Sequence, residues 1–583
     1  MSRPCGQTAV SDGWLNCTLR VDVGTWYLPH GISLRTRLYN GLPPGVPILV
    51  APGDRVRIRL ENALGANTPS PLDSGWTGFR KANTTNLHIH GIYDDAIHDD
   101  TLSPVEPGDV KLYSYDIHPQ AGSSLLWYHP HADGSSTMQI IGGMAGPFII
   151  TDPAQEAGFG FAARRRPLLL QSLHFEAKSS DLLTKVMDNG GASALPLQLA
   201  NPSGYEGMLL LVNGGEAPRE SIGAGSWIRL QLINAMVDST NGIVLGFADA
   251  KSRDACTIRA LAYDGVFLRH SRTVPSLMLA SAARAEIAVS CSERGAHLLG
   301  SLGPVVHGSA AHGSAVTPAA TLGGVVQAGL AVVHLDVGRG GGAEEGPREL
   351  PGPPAYLDDL MDVRAQGTFT ATFGTFDGDN VINERTYARK VAYHMPLGSV
   401  QQWKVVGGEA LGTEKLHPYH QHMTHFQIVS SSLPATAALL DVRAGDWRDT
   451  VPLWGGLNYT VRFRAPFLGE MMVHCHTLKH AEMGMMTLAL IEPPPPMMAM
   501  ATAQVTDALV APAFAHAADA SWRASVLIPL RASVACLLLF ASLMAVRRRS
   551  CAAKLPWRRD YSQAATAEAD EWPCCSYQAY SGH

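Results

Sequence analysis

Hydrophobic and polar positions alternate with a period of two along much of this 583-residue chain, the pattern of strands with one buried face. In VPILVAPGDRVRIRLEN, two strand-like runs flank the turn Pro52-Gly53-Asp54, whose glycine suits a positive φ. Beyond the turn Val56, Ile58 and Leu60 alternate with Arg57, Arg59 and Glu61. The same grammar returns in GMLLLVNGG, GSWIRLQLINA and ARAEIAVSC, and again in GSVQQWKVVGG, HFQIVSS and LNYTVRFRAP. No apolar stripe is long enough for a substantial amphipathic helix. A chain of this length exceeds what one core organises, so the pattern predicts an all-β body of three β-sandwich domains. Their expected limits are 20–155, 158–337 and 355–495, with a Gly/Pro-rich linker at 338–354. An Ala/Gly/Ser-rich loop insertion is expected over 303–329.

The pattern breaks near the C-terminus. Ala532 to Val546 carries no charge, and Arg547, Arg548 and Arg549 follow at once. A stalk over 496–523, a transmembrane helix over 524–546 and a cytoplasmic tail over 547–583 are expected. The arginines would hold the tail inside, leaving the large body outside a cell membrane. The opening MSRPCGQTAVSDGW has no apolar signal stretch, so the sequence is expected to begin late.

Composition narrows the function. A net charge of −6 gives no basic surplus for nucleic acid. Nine cysteines are too few for a disulfide scaffold, although Cys5 could pair with Cys17 and Cys256 with Cys291. Sequons at Asn16, Asn83 and Asn458 fit a glycosylated exterior.

The histidines change the picture most. His-x-His occurs four times, at His88/His90, His129/His131, His420/His422 and His474/His476, where random placement of 23 histidines gives about one such pair. In the last pair the intervening residue is Cys475. On a strand successive side chains alternate faces, so His474 and His476 point one way and Cys475 the other. The odd-numbered His417 and the even-numbered His420 and His422 show the same parity. Cys475 with His417, His480 and a weak axial Met485 makes a blue-copper ligand set. The other eight histidines are too many for one tetrahedral metal and suit several copper ions. Half come from the first segment and half from the third, which requires those segments to face each other. A structural zinc site would use four ligands with more thiolate.

NLHIHG, WYHPH, HPYHQH and HCHTLKHAEMGM, in this order, resemble the four signature motifs of the multicopper oxidases, and GDWRDTVPL, GMAGPFIITD and PPAYLDDL agree. The resemblance spans about residues 20 to 495. It implies cupredoxin-like Greek-key domains and four copper ions. Type 1 copper would take His417, Cys475, His480 and Met485, and type 2 copper His88 and His420. The type 3 pair would take His90, His129, His131, His422, His474 and His476. Ile89 stands where the family commonly has tryptophan, and Ala132-Asp133-Gly134 replaces a small residue and glycine. The proton-delivering acid of the family falls nearest Asp99 or Asp100, with Glu482 a weaker candidate.

The resemblance implies oxidation of a donor in four one-electron steps, coupled to reduction of O2 to water. Electrons would enter beside His417 or His480 and pass through Cys475 to His474 and His476. The expected donor is ferrous iron, which would go with an iron permease partner and carboxylates near type 1 copper; Asp441, Asp446 and Glu414 are nearest in sequence. The alternatives are a laccase-like oxidase of phenols, a cuprous oxidase hinted at by neighbouring methionines, and a surface copper-binding protein without catalysis.

Overall fold

The computed structural model describes residues 13–67, 81–119, 121–157, 165–175, 199–200, 203–237, 242–303, 325–340, 345–409, 415–432 and 440–494. The expected stalk, transmembrane helix and tail, the loop over 304–324, Glu414 and Cys5 lie outside these. Among the described residues no helix is long and apolar enough to cross a membrane.

Among the described residues the strands form six sheets, arranged as three pairs. In the first pair, a sheet with Trp14–Tyr27, Ser33–Tyr39, Arg55–Asn62 and Val110–Asp116 faces another with Ile48–Val50, Gly146–Ile150, Ser124–His129 and His88–His90. Val56, Ile58 and Leu60 are buried in the core between them while their charged neighbours are not, as the alternation predicts. The turn at Pro52-Gly53-Asp54 is present, with Gly53 at φ +83°. The runs it joins do not pair as a hairpin, because Ile48–Val50 lies beside Gly146–Ile150 and Arg55–Asn62 beside Trp14–Tyr27. The turn carries the chain from one sheet to the other.

The second pair is built around Trp227–Asn234 and Arg284–Cys291, the third around Val400–Gly407 and Gly469–Cys475. Each pair encloses its own apolar core. Among the described residues helices are confined to short turns such as Ser136–Ile141 and Leu478–Glu482. The two-residue strand Leu199–Ala200, expected in the second segment, instead pairs with Ser33 and Leu34 of the first.

Cys256 and Cys291 face each other across adjacent strands and form a disulfide. Cys17 is also disulfide-bonded. Asn83 is a correction to the glycan reading: it is buried, and its Nδ2 donates to the Gly65 carbonyl at 2.9 Å. That nitrogen is turned to backbone carbonyls and not to solvent. Asn16 is likewise buried.

Candidate metal centre

Strand pairing brings the histidines together. His88 stands opposite His129 in one antiparallel pair, and His420 opposite His474 in another. The parity argument holds in the register: Tyr419 pairs with Cys475, and both turn into the third core with Met485, while His420 and His474 turn away from it. Ile89, between His88 and His90, is buried in the first core.

Two clusters result. In the first, the Nδ1 atoms of His417 and His480 approach Cys475 Sγ at 3.7 and 3.8 Å. Met485 is buried in the same core, and its carbonyl accepts from the Cys475 N–H at 3.1 Å. Burial pushes the Cys475 thiol up to about 12 and holds His417 down to about 4 and His480 to about 3. Both imidazoles are therefore neutral, the form that binds metal.

In the second cluster the eight remaining histidines stack within one buried region, His88 on His422 and His90 on His420 with ring centroids 4.1 and 3.8 Å apart. The Nε2 atoms of His131 and His422 each lie 3.2 Å from that of His474. The groups His88/His90/His129, His88/His420/His422 and His131/His422/His474 could each hold a metal ion. Five buried ring nitrogens, Nε2 of His88, His129, His420 and His476 and Nδ1 of His90, have no hydrogen-bond partner. An orphaned buried polar atom costs about 1–3 kcal/mol, so five in one place are the mark of a site shaped for something that binds them.

The opposite nitrogen of each of these rings is occupied. His88 Nδ1 donates to Asp99 Oδ2 at 2.6 Å, His129 Nδ1 to the Pro130 carbonyl and His420 Nδ1 to the Asp449 carbonyl, both at 2.9 Å. His476 Nδ1 lies 3.1 Å from Ser281 Oγ, and His90 Nε2 lies 3.3 Å from Asp449 Oδ1. These partners fix which nitrogen is left as acceptor.

The chain matches the multicopper oxidase family over residues 20–155 and again over 354–495, the two stretches that supply the histidines. The chain belongs to the multicopper oxidase family. It is similar to bilirubin oxidase of Albifimbria verrucaria, 25% identical over 463 residues, 77% of this chain and 71% of that one. A shorter stretch of 173 residues, 29% of this chain, is 30% identical to 22% of the iron transport multicopper oxidase FET3 of Candida glabrata. Among solved structures it resembles a laccase from Pediococcus acidilactici, with a TM-score of 0.62 and 19% identity over 84% of this chain and 93% of that one. The mostly-β architecture is that of the cupredoxin-like multicopper oxidases.

This multicopper oxidase is a copper oxidoreductase with O2 as acceptor, and its family binds one type 1, one type 2 and two type 3 coppers. The donor set fits that complement: one cysteine thiol with two neutral imidazoles in one cluster, and in the other eight imidazoles, five of them with a buried ring nitrogen that has no partner.

The three acids separate. Asp99 bonds His88 and also accepts from the Ile89 N–H at 3.1 Å and the Tyr115 hydroxyl at 3.3 Å. Asp100 is a correction: its carboxylate accepts from Leu102 N and Ser103 N within its own turn and from Lys111 Nζ of the strand Val110–Asp116, and none of these partners is a ligand histidine. Glu482 is buried, and its hydrogen bonds go to Ser136 and Thr137; burial pushes it up to about 7. It clamps the helix Leu478–Glu482 to the helix Ser136–Ile141.

Sequence reasoning missed Asp449, Asp264, Arg284 and Ser281, which surround the histidine cluster. Asp449 lay within the stretch GDWRDTVPL that supported the resemblance, with nothing to show what it touched. Burial raises the Asp264 carboxyl above the usual carboxylate range, and the nearby Asp449 adds to it.

Proposed function

We propose that this multicopper oxidase takes electrons from organic, phenol-like donors at the outer edge of His480. The observation that carries this reading is the charge around that edge. His480 turns Nδ1 inward to Cys475 and is the partly exposed one of the two imidazoles, whereas His417 is fully buried with Glu409 Oε1 3.5 Å from its Nε2. After burial and His417, the groups that disfavour a proton on His480 are Lys415 and Lys479. Lys415 lies 3.9 Å from Glu409 Oε1, so the charge that opposes the approach of Fe2+ and favours a phenolate or carboxylated aromatic comes mainly from the exposed Lys479, next to His480 in the chain.

Copper, when bound, supplies the one-electron acceptor and the multi-electron reduction of O2. The chain's own residues do the rest. Cys475 is joined through its backbone to His474 and His476, so the two clusters are separated by few covalent bonds. Asp99 holds His88 in one tautomer. Four donors each lose one electron and one proton, and O2 takes up the four electrons and four protons to give two waters.

The ferrous-iron reading is kept as a second one because of the stretch similar to an iron transport oxidase. Two of its three expected carboxylates are otherwise engaged. Asp441 accepts from the Tyr263 hydroxyl and from Arg443 Nε, both at 2.7 Å, and Asp446 is paired with Arg272. Membrane anchoring rests on the sequence of residues 524–583 alone, and a permease partner would accompany the iron reading.

The test is O2 consumption by the copper-loaded chain with a hydroquinone and with ferrous iron, using Cys475→Ser as the autoxidation baseline. A hydroquinone kcat/KM above that for iron is expected. A ten-fold advantage for iron, about 1.4 kcal/mol of transition-state stabilisation, would replace this reading with the ferroxidase one.

A further inference from the structure

Among its described residues the middle segment supplies none of the candidate copper ligands, yet Ser281 touches His476 and Arg284 touches Asp449, which backs His90 and His420. Ser281 and Arg284 belong to the short stretch Ser281-Ala282-Ala283-Arg284, which leads into the strand Arg284–Cys291. Ser281 Oγ donates to the His476 carbonyl at 2.8 Å. Having spent its one proton there, the hydroxyl is an acceptor toward His476 Nδ1 at 3.1 Å. That fixes the proton of His476 on Nδ1 and leaves its orphaned Nε2 facing the cluster.

Arg284 is fully buried and uses all five of its N–H donors. Nη1 and Nη2 form a fork on the two carboxylate oxygens of Asp449 at 2.7 and 2.6 Å. The other donors go to the carbonyls of Ala282 at 3.3 Å, Asp264 at 3.0 Å and Leu125 at 3.3 Å. One guanidinium thus joins all three segments. Asp264 completes the frame, its Oδ2 accepting from the backbone N–H groups of Asp449 and Thr450 at 3.2 Å. Asp449 in turn backs two ligand candidates from different segments, His420 through its carbonyl and His90 through its carboxylate. The close fit shows at Gly91, where an added Cβ would stand 2.3 Å from Arg284 Nη2.

We propose that Ser281 and Arg284 are positioning residues of the trinuclear copper centre, so that the copper-free middle segment aims His476, His90 and His420 from outside the ligand set. This rests on the assignment of the eight histidines to that centre. Loss of such a supporting hydrogen bond weakens metal retention about 10- to 100-fold.

The experiment uses the full copper-loaded chain, equilibrated against rising concentrations of a copper chelator. Copper per chain is counted by atomic absorption, type 1 copper by the visible thiolate band of Cys475, and type 2 copper by electron paramagnetic resonance. Arg284→Lys keeps the charge but loses the fork. It is expected to release the trinuclear coppers at about ten-fold lower chelator or less, with the visible band retained. Ser281→Ala, which removes one hydroxyl and leaves the buried charges intact, is expected to do the same more weakly, and Ser281→Thr to restore retention. Arg229→Lys is the control, since Arg229 is an equally buried arginine of the middle segment, paired with Glu286 and Glu156 away from the histidines. Parent-like retention in Arg284→Lys and Ser281→Ala would overturn the proposal. So would loss of the visible band in step with the other coppers, or the same loss in Arg229→Lys. A parent chain that never binds four coppers would overturn the histidine assignment itself, and the proposal with it.

Discussion

Removing copper should make this protein acid-labile, by an amount that follows from the buried imidazoles. Nine histidines of the two clusters, His90, His129, His131, His417, His420, His422, His474, His476 and His480, have pKa values lowered by burial, first of all, and then in most cases by neighbouring imidazoles or other cations. Unfolded, each would titrate near 6.5. Below that pH the unfolded chain takes up protons that the folded chain refuses, so stability falls as pH falls from about 6.5 toward about 4. Between pH 7.5 and 5.5 each imidazole that stays neutral in the fold loses about 1.4 kcal/mol. Nine together give a ceiling of about 12 kcal/mol, as large as the whole stability of an ordinary domain.

Copper reverses this because it binds only the folded arrangement of neutral imidazoles and thiolate, and so stabilises it by mass action. The assay is near-ultraviolet circular dichroism and tryptophan fluorescence of the copper-free and copper-loaded chains at fixed ionic strength, from pH 8 to 4. Trp127 is a local reporter, buried with its ring 4.2 Å from that of His129. The copper-free chain is expected to lose its tertiary signal by about pH 5.5, and the loaded chain at least one unit lower. A copper-free chain unchanged through pH 4.5 would refute the reasoning, because the imidazoles would then accept protons in place without cost to the fold.

Cys475→Ser should remove the visible absorption band and one copper per chain, leaving the type 2 resonance in place. Lys479→Glu should raise KM for a carboxylated phenol by roughly three- to ten-fold and lower it for a cationic donor, with both effects shrinking as salt is added; equal changes for the two donors would count against a charge-steered edge at His480. In Asp99→Asn, His88 Nδ1 loses a charged acceptor, so turnover should fall about 10- to 100-fold while KM for the donor stays put, as read from steady-state O2 uptake. Gly91→Ala places a Cβ against Arg284 at a residue with φ +90°, and about 2 kcal/mol or more of lost stability is expected in thermal or denaturant unfolding.

The limits of the sequence fall along a physical line. Strands with one dry face announce themselves through local alternation, and Val56, Ile58 and Leu60 needed no partner to be read as buried. The histidine pairs were legible for the same reason, since strand parity alone separates Cys475 from His474 and His476. Alternation does not distinguish water from the surface of a neighbouring segment. Arg284 and Glu286 alternate with alanines in the manner of a solvated strand face, yet both are buried, Arg284 against Leu125 and Asp449 of the first and third segments and Glu286 against Arg229 within the second. Asp99 and Asp100 were equivalent by spacing, and only the turn that folds Asp100 back onto Lys111 separates them. Arg284 and Asp449 are 165 residues apart, and no local pattern links a donor fork to so distant a carboxylate. Ligands recur within a few residues because each strand must present them together. The groups that aim those ligands come from wherever the folded chain passes nearby, so the metal set is written in motifs and its control is written in the packing of the three segments.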